Sequence, residues 1–425
     1  MRIAIIGGGA SGMVTAYLLD QQGHQVTVFE RQSVLGGHIR TLNKNVQPNH
    51  SNSDQILENG VLEFPGAFHN FLVLMQTLEV ELEPVDIGSA LFLQDGRHFL
   101  SSTMIRKNFT GMQRLLEYLR LDTLYARSAG FWVRMQFRKM QDFYAQPMSQ
   151  HLPRPCIRNC WLKLLTMYSY SMPFELIDDF PAELAIPALR QYIFVHWFRI
   201  KGGVYTYIEK ILERFRGTIF LNANVKGITR NPNGVAIELP EGSQSFDKVV
   251  FATPPDQVMK LLADPTPAEC KRFSSWRENR VQTLLHSDTT MYERYGIAQP
   301  SEFDFFQTDE GWGYNAFLNQ LCGIDSPQRY SLAFNLAGLI DKDKILHIQE
   351  HHTPLYTVES FHHRDQVIET NGENNIYHAG AYLGDGLHEG AVTSAMRVAE
   401  LVGSRNSPDW APSLSTRALI RFSIG

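Results

Sequence analysis

The chain has 425 residues, of which 44% are hydrophobic, and this length predicts two or three domains with a large core. Its formal net charge of −5 argues against a nucleic-acid partner and against attraction to an anionic membrane through overall charge. We expect no secretory leader, because no basic end, apolar core and cleavage site come before the first strand, and no transmembrane helix, because the apolar runs are short and contain charges. We therefore expect a cytoplasmic protein. Among the 4 cysteines, Cys156 and Cys160 could share a helical face, but no further His or Cys nearby completes a metal set, so reduced thiols and no metal centre are predicted.

The first 30 residues have the pattern of a dinucleotide-binding unit. The apolar run from Ile3 to Ile6 predicts a buried parallel strand, and glycines in the frame G-x-G-x-x-G follow it. The first glycine permits a sharp turn, the second lets a pyrophosphate approach the backbone, and the third lets helix and strand pack closely. The residues predicted to form this loop are Gly7, Gly9, Ala10, Ser11 and Gly12. A second strand, Val26 to Phe29, ends at Glu30, where an acid can hold a ribose hydroxyl.

A glycine pair follows the second strand, in the segment Leu35 to Thr41. This segment resembles the second phosphate-binding loop of FAD enzymes in the amine oxidase and phytoene (carotenoid) desaturase superfamily. The resemblance implies FAD as the cofactor. Most members have Arg where this chain has His38, and Arg40 is the candidate replacement beside the pyrophosphate. The cofactor residues implied in this part of the chain are Glu30, Arg31, Gly36, Gly37, His38 and Arg40.

Later segments resemble the parts of the superfamily that complete the cofactor site. Asn224 to Ile228 is similar to the strand whose valine backbone meets the adenine, and Phe246 to Thr253 is similar to a strand whose end closes over the cofactor. Ile376 to Gly380 resembles the strand end that contacts the ribityl chain, and the helix start after it would face the flavin's pyrimidine carbonyls. The residues implied here are Val225, Ala252, Thr253, Pro254, Gly380, Ala381, His388, Glu389, Gly390 and Ala391.

Many relatives have an acid directly after the strand glycine, where this chain has Ala381. Asp385 and Glu389 are the candidates to replace that acid. The helix that follows is predicted over Val392 to Val402.

The predicted fold class is α/β, with a Rossmann-like FAD-binding domain built on a parallel sheet and a second, α+β substrate domain inserted in the chain. We expect a discontinuous FAD-binding domain over 1–70, 201–258 and 366–405. The substrate domain is then formed by 71–200 and 259–365. Residues 406–425 form a polar tail.

The predicted substrate domain has mixed signals. Helical spacing from Phe71 to Leu78 is followed by a hairpin turn at Gln94 to Arg97, and three later segments are expected as strands of a larger sheet. Those three segments are Val281 to Asp288, Trp312 to Leu321 and Arg329 to Asn335. Residues 151–200 are rich in aromatics and are expected to form short helices, cut by Pro173, Pro181 and Pro187, that line and cover an apolar cavity.

Residues 104–140 are locally basic, with eight Lys and Arg against two acids and with interleaved aromatic residues. One interpretation is a surface that contacts membrane lipid or an anionic substrate head group. The other is a pair of amphipathic helices whose aromatic side packs inward and whose arginines are solvated. The sequence leaves both open.

Three residues are candidates for the chemistry. His388 lies at the predicted helix start beside the flavin, His69 follows the segment that passes the flavin ring, and Tyr382 is a candidate for the aromatic frame used by amine oxidases. Two hypotheses for His388 stay open, a contact with the cofactor and a role in proton transfer. Flavin amine oxidases often have a lysine near the ring, and Gln282 to His286, where it is expected, contains none.

The resemblance extends from residue 1 to about residue 403 and is closest to a subgroup of predicted NAD/FAD-binding flavoproteins linked to fatty-acid modification. It implies an FAD-dependent oxidoreductase that acts by hydride transfer to flavin N5. The leading hypothesis is desaturation or double-bond isomerisation of a largely apolar substrate, an acyl chain or polyene. The alternatives are a flavin amine oxidase and a non-catalytic flavin-binding protein.

Overall fold

The computed structural model describes residues 1–48, 54–191 and 195–403. The predicted tail 406–425 and the last two residues of the predicted FAD-binding segment 366–405 lie outside the described residues. Residues 49–53 also lie outside them; they belong to the stretch 43–57, whose polar, turn-rich sequence predicts a surface loop.

The strands are β1 (Arg2–Ile6), β2 (Gln25–Phe29), β3 (Thr41–Leu42), β4 (Leu57–Glu58), β5 (Phe64–Pro65), β6 (Leu82–Val85), β7 (Ser89–Phe92), β8 (His98–Phe99), β9 (Trp197–Ile200), β10 (Thr218–Phe220), β11 (Gly227–Asn231), β12 (Gly234–Leu239), β13 (Gly242–Phe246), β14 (Lys248–Phe251), β15 (Glu278–His286), β16 (Phe303–Thr308), β17 (Gly311–Phe317), β18 (Ser331–Phe334), β19 (Ile345–Pro354) and β20 (Ile376–His378). The helices are α1 (Ala10–Gln21), α2 (His69–Thr77), α3 (Ser102–Asn108), α4 (Gly111–Gln136), α5 (Met148–His151), α6 (Ile157–Tyr170), α7 (Ala182–Gln191), α8 (Thr206–Arg214), α9 (Val258–Leu261), α10 (Pro267–Phe273), α11 (Leu318–Leu321), α12 (Val358–Phe361), α13 (Arg364–Glu369) and α14 (His388–Val402).

A five-stranded parallel sheet with the order β10-β2-β1-β14-β20 carries the predicted dinucleotide-binding unit. Its central strand β1 is buried on both faces, as its unbroken apolar run predicts. Ile3 and Ile5 pack in one core with α1, and Ala4 and Ile6 belong to the core on the other face. The predicted α/β fold with a parallel sheet is confirmed.

Four helices, α1, α2, α8 and α14, share the core on the first face of this sheet. The predicted domain division assigns α2 to the substrate domain. In the structure Phe71, Leu74 and Met75 of α2 are buried in the same core as α1 and α14. The helical spacing predicted this helix, but which core it joins is decided by long-range packing. The domain boundaries themselves stay a prediction.

A seven-stranded mixed sheet with the order β19-β15-β18-β17-β16-β7-β8 forms the other large layer. The three segments predicted as strands of one sheet supply β15, β17 and β18. The strand predicted over Trp312 to Leu321 ends at Phe317, and Leu318–Leu321 form α11 instead. The hairpin predicted around Gln94 to Arg97 joins β7 to β8, with Phe92 opposite His98.

Other local expectations were also wrong. The strand predicted from Phe246 to Thr253 is divided, because β13 ends at Phe246 in an antiparallel sheet and β14 starts at Lys248 in the parallel one. Pro187 lies inside α7 and does not end it, since six buried residues hold that helix in the core. The last helix begins at His388, four residues before the predicted Val392, so His388 is its first residue.

The basic region is mostly helical, with α3 and the long α4. Leu121, Leu124, Phe131 and Trp132 of α4 are buried in hydrophobic cores. Within the part of the chain that the structure describes, no helix is both long and apolar enough to cross a bilayer.

Candidate cofactor and substrate cavity

A cavity of about 570 Å³ lies between the two large sheets. Its first part is lined by the residues that follow the parallel strands, including Gly7 after β1, Glu30 after β2 and Ala252 after β14. Ligands of α/β sheets bind at this carboxyl edge. Its second part is lined by aromatic residues such as Tyr168 and Tyr314. We call these parts the nucleotide end and the aromatic end.

The two glycine loops meet at the nucleotide end. Gly36 donates its backbone N–H to the carbonyl of Gly8 at 2.9 Å, and Gly9 and Gly36 form a parallel bridge. A Cβ on Gly37 would lie 2.9 Å from the Cα of Gly9. The start of α1 has no side-chain cap, so its backbone N–H groups are available to an anion.

Gly12 has a packing role and does not line the cavity. A Cβ there would lie 1.9 Å from the carbonyl oxygen of Gly7, which is the close contact between helix and strand that the motif predicts. Ala10 and Ser11, at the start of α1, line the cavity, whereas Gly12 lies beneath them.

Glu30 is buried at the nucleotide end and organises the backbone around it. Its two carboxylate oxygens accept hydrogen bonds from the N–H of Gly8 at 2.7 Å and the N–H of Gln32 at 2.8 Å. The predicted ribose contact would use the remaining lone pairs of this carboxylate.

Arg31, His38 and Arg40 all line the cavity. His38 hydrogen-bonds through Nε2 to the carbonyl of His352 at 2.7 Å, which holds its ring across the cavity wall. Arg40 is almost fully buried and donates to the carbonyl of Ile39 and the amide oxygen of Gln32. Within the described residues no carboxylate forms an ion pair with Arg40, and burial lowers the pKa of its guanidinium. A buried cation without a paired anion fits a diphosphate in this cavity.

A second polar group fits the same ligand. The hydroxyl of Thr253 is buried without a hydrogen-bond partner among the described residues, and Thr253 lines the cavity together with Ala252 and Pro254. Val225 lines the nucleotide end, but the strand implied over Asn224 to Ile228 begins only at Gly227, so Val225 lies in the irregular segment between β10 and β11. The glycine loops, the free helix start, Arg40 and Thr253 together fit FAD.

Two acids near the start of α14, Asp385 and Glu389, form different hydrogen bonds. Asp385 accepts from the N–H of Leu387 at 2.9 Å and from the N–H of Gly390 at 2.7 Å, so it holds the turn before the helix. Glu389 points to α2, where it accepts from the N–H groups of Asn70 and Phe71. The cavity lining contains Gly380, Ala381, His388 and Ala391, and it contains neither Glu389 nor Gly390.

His388 lies at the cavity wall with its ring against the rings of Phe64 and Phe71. Its Nε2 lies 3.3 Å from the hydroxyl of Tyr207. Burial lowers the pKa of His388 to about 3, so the imidazole is neutral at physiological pH. This environment favours a contact with the cofactor over transfer of a proton.

The other two candidates are separated in the structure. His69 is exposed at the first position of α2 and is not part of the cavity lining. Tyr382 is buried in the wall, with its ring edge-on to Trp276 at 5.5 Å between centroids. Its hydroxyl has no hydrogen-bond partner among the described residues.

The aromatic end contains residues that the sequence did not single out as site residues. Tyr168 and Tyr170 come from α6, within the region expected to line a cavity, and Tyr314 comes from β17. Glu63 lies among them, and its only sequence signal was an acid inside the otherwise apolar run from Val61 to Phe64. The described residues that line the cavity include no lysine.

One acidic cluster lies beside the cavity. Asp256, Glu278 and His352 have ligand atoms within 4.8 Å of one another. Lys260 lies 3.4 Å from Asp256, and Arg280 lies 3.2 Å from Glu278. These two cations balance the charge of the carboxylates without a metal ion.

The parallel-sheet dinucleotide unit, the second mixed sheet and the cavity between them define an FAD-binding protein. The sequence profile of the family described as flavin containing amine oxidoreductase matches residues 10–284. The chain belongs to this family, and its cofactor is FAD.

Known proteins are similar to this chain over long stretches. L-amino-acid oxidase of Siganus canaliculatus is 23% identical over 326 residues, which are 69% of this chain and 58% of that protein. The solved structure of a CLA-producing fatty acid isomerase from P. acnes aligns with a TM-score of 0.67 and 16% identity, covering 94% of this chain and 97% of that one. A triple mutant of putrescine oxidase aligns with a TM-score of 0.66 and 15% identity, covering 94% and 98%. The two structural likenesses show the same fold.

Proposed function

We propose that this protein is an FAD-dependent oxidoreductase that desaturates, or shifts a double bond in, a largely apolar substrate such as an acyl chain or polyene. FAD, held at the nucleotide end, would supply the hydride acceptor. The chain itself would bind and orient the substrate in the aromatic end and keep water out.

The observation that carries this proposal is the lining of the aromatic end. Tyr168, Tyr170, Tyr314, Tyr356 and Trp197 supply most of its rings, and no lysine lies among the described lining residues. Aromatic walls bind apolar chains well, and their few polar groups fix orientation.

The test is anaerobic mixing of the yellow holoprotein with acyl-chain lipids and polyenes, followed by the visible spectrum. A substrate should bleach the oxidised flavin band, and the recovered lipid should show a new or displaced double bond. Holoprotein that no lipid bleaches and that leaves every double bond in place contradicts the proposal. If no other donor reduces it either, the protein is a flavin-binding protein without turnover.

Oxidation of an amine is the second candidate. It is favoured by Glu63, whose carboxyl in the aromatic end could pair with an ammonium group. This function predicts that polyamines or aromatic amines bleach the flavin anaerobically and release hydrogen peroxide in air. Lipids would then leave the spectrum unchanged.

Contact with a membrane surface is a separate proposal, and lipid is where an apolar substrate would be found. Exposed apolar side chains lie on one face of α4 and of the residue that ends it, in two groups, one at the start and one at the end of the helix. This apolar stripe consists of Met112, Leu115, Leu116, Leu119, Val133 and Phe137. The exposed Arg120, Arg127 and Arg134 lie along one edge of the stripe, where they match the charge of anionic head groups.

A further inference from the structure

A carboxyl group stands in the aromatic end of the cavity. Oε1 of Glu63 accepts a hydrogen bond from the hydroxyl of Tyr168 at 2.7 Å. Oε2 of Glu63 is buried and has no hydrogen-bond partner among the described residues. A buried polar atom without a hydrogen-bond partner lowers the stability of the folded protein. An unpaired carboxylate oxygen in this cavity therefore indicates a functional role.

Tyr168 fixes the position of this carboxyl. Its ring stacks on Phe303 with 4.1 Å between centroids and 9° between planes, and it meets the ring of Tyr314 edge-on at 4.9 Å. These two ring contacts hold the hydroxyl of Tyr168 toward Glu63. Burial raises the pKa of Tyr168 well above its usual range, so this hydroxyl stays a donor.

No fixed charge sets the ionisation of Glu63. Its titratable neighbours are Tyr168, Tyr314 and Cys322, and burial raises the pKa of each of them, so all three are neutral near pH 7. No Lys or Arg within the described residues forms an ion pair with Glu63. Burial, opposed by the hydrogen bond from Tyr168, raises the pKa of Glu63 to about 7. Both protonation states are therefore accessible near neutrality, which is what proton exchange requires.

We infer that Glu63 is the proton acceptor in the oxidation of an apolar chain, and that Tyr168 is the residue that positions it. The inference rests on the proposed function. One C–H bond of the chain breaks with its electron pair leaving as hydride to FAD, which is the oxidant. The neighbouring C–H bond breaks with its electron pair forming the new double bond and its proton bonding to a Glu63 oxygen. The proton passes to solvent after the product leaves, so the net change is desaturation and not isomerisation, in which the hydride would return to the chain.

Stopped-flow reduction of the holoprotein by oleyl alcohol, or by whichever lipid bleaches it, tests the step. In the wild type the rate of bleaching should rise with pH through about pH 7, since only the ionised carboxyl accepts a proton. Glu63→Gln should react slower by a factor on the order of 10² or more, with no such pH dependence. Tyr168→Phe keeps the ring and should move the midpoint to higher pH, because the ionised carboxyl loses its donor. Glu302→Gln removes a buried carboxyl outside the cavity lining and should change neither rate nor midpoint.

Infrared difference spectroscopy gives a readout that does not depend on turnover. The carbonyl band of protonated Glu63, identified by its absence in Glu63→Gln, should titrate in the wild type and in Glu302→Gln. Oleyl alcohol should move its midpoint to higher pH, since an apolar chain displaces water beside the carboxyl. A midpoint that oleyl alcohol leaves unmoved, or one that only putrescine moves and moves to lower pH, overturns the inference.

The two failures are distinguishable. Equal bleaching rates in the wild type and in Glu63→Gln would refute the role of Glu63 and leave the proposed function standing. An infrared shift with oleyl alcohol in a holoprotein that no lipid bleaches would refute the proposed function and the proton transfer together, and would leave a carboxyl beside a bound apolar chain.

Discussion

Gly12 and Gly130 both lie inside helices, yet a side chain would have different surroundings at the two positions. A Cβ on Gly12 would lie 1.9 Å from the carbonyl oxygen of Gly7, whereas a Cβ on Gly130 would have no atom within 4 Å. We expect Gly12→Ala to separate α1 from β1 and to lose FAD. Gly130→Ala should retain FAD and raise the free energy of unfolding by up to about 1 kcal/mol, since alanine favours the helix.

Both variants are measured by the ratio of flavin to protein absorbance after purification and by denaturant unfolding. Gly130→Ala is the matched control, because it makes the same change in a helix without a close neighbour. Normal FAD content in Gly12→Ala would mean that the contact between helix and strand relaxes without harm to the site.

Single residues also show which features of the site could be predicted from the sequence. The glycine loops were predicted from their spacing, because each glycine is required by a local feature of the backbone, such as a tight turn or a close approach. Gly8 and Glu30 are 22 residues apart, and their hydrogen bond forms only when β1 and β2 pair. Glu389 was expected at the cofactor and instead accepts from Asn70 and Phe71 of α2, a partner more than 300 residues away that no local pattern indicates.

At the scale of elements, α4 gives the clearest case of a property that needs the fold. Its basic and aromatic composition left a lipid-facing surface and a solvated surface open. The structure buries Leu121, Leu124 and Phe131 on one side, and the apolar stripe lies on the opposite side, with Met112 69% and Phe137 83% exposed. Which apolar residues remain outside depends on which face packs, and packing is long-range.

We expect the protein to bind vesicles that contain anionic lipid. Burying the apolar stripe in the interface and placing the arginines near the head groups both favour binding. The double variant Leu116→Gln, Phe137→Gln should bind them markedly less in a sedimentation assay, and added salt should weaken the binding of the wild type.

Leu401→Gln is the control, because Leu401 is a large exposed apolar residue outside α4. It should bind vesicles like the wild type. Equal binding by the double variant, or no binding by the wild type, would assign α4 to the solvated interpretation.

At the scale of the whole molecule, buried carboxyls and buried histidines have opposite effects on how the free energy of unfolding changes with pH. Burial raises the pKa values of Glu58, Glu63 and Asp304 to between about 7 and 8. These carboxyls stabilise the fold fully below about pH 4.5, and they lose that contribution progressively as pH rises from there through 7 to 8. Burial lowers the pKa values of His351, His378 and His388 to about 3. Neutral histidines stabilise the fold fully above about pH 6.5 and lose that contribution as pH falls toward 3.

The free energy of unfolding of the apoprotein should therefore be nearly constant between about pH 4.5 and 6.5, where unfolding releases protons from one set and takes up protons on the other. It should fall on both sides, by up to about 4 kcal/mol per pH unit for three groups. Urea unfolding from pH 3.5 to 8.5 measures both limbs.

His378→Phe is a test of the acid limb, because the ring of His378 stacks on Phe251 and a phenyl ring keeps that contact. The acid limb should become shallower by about 1.4 kcal/mol per pH unit, and the alkaline limb should not change. An acid limb as steep as that of the wild type would show that His378 takes up no proton on unfolding.

The sequence by itself determined the dinucleotide unit and its parallel sheet, because strand periodicity, glycine spacing and helix starts are signals carried within about 30 residues. FAD was implied by the resemblance of Leu35 to Thr41 and of later segments to a flavoenzyme superfamily. Only the tertiary structure decided which of the marked residues reach the cavity. It put Glu63 against Tyr168, which lies 105 residues further along the chain, and it left His69 at the surface. Contacts of this kind form when separate elements pack face to face, and the packing of distant elements is not written in any local pattern.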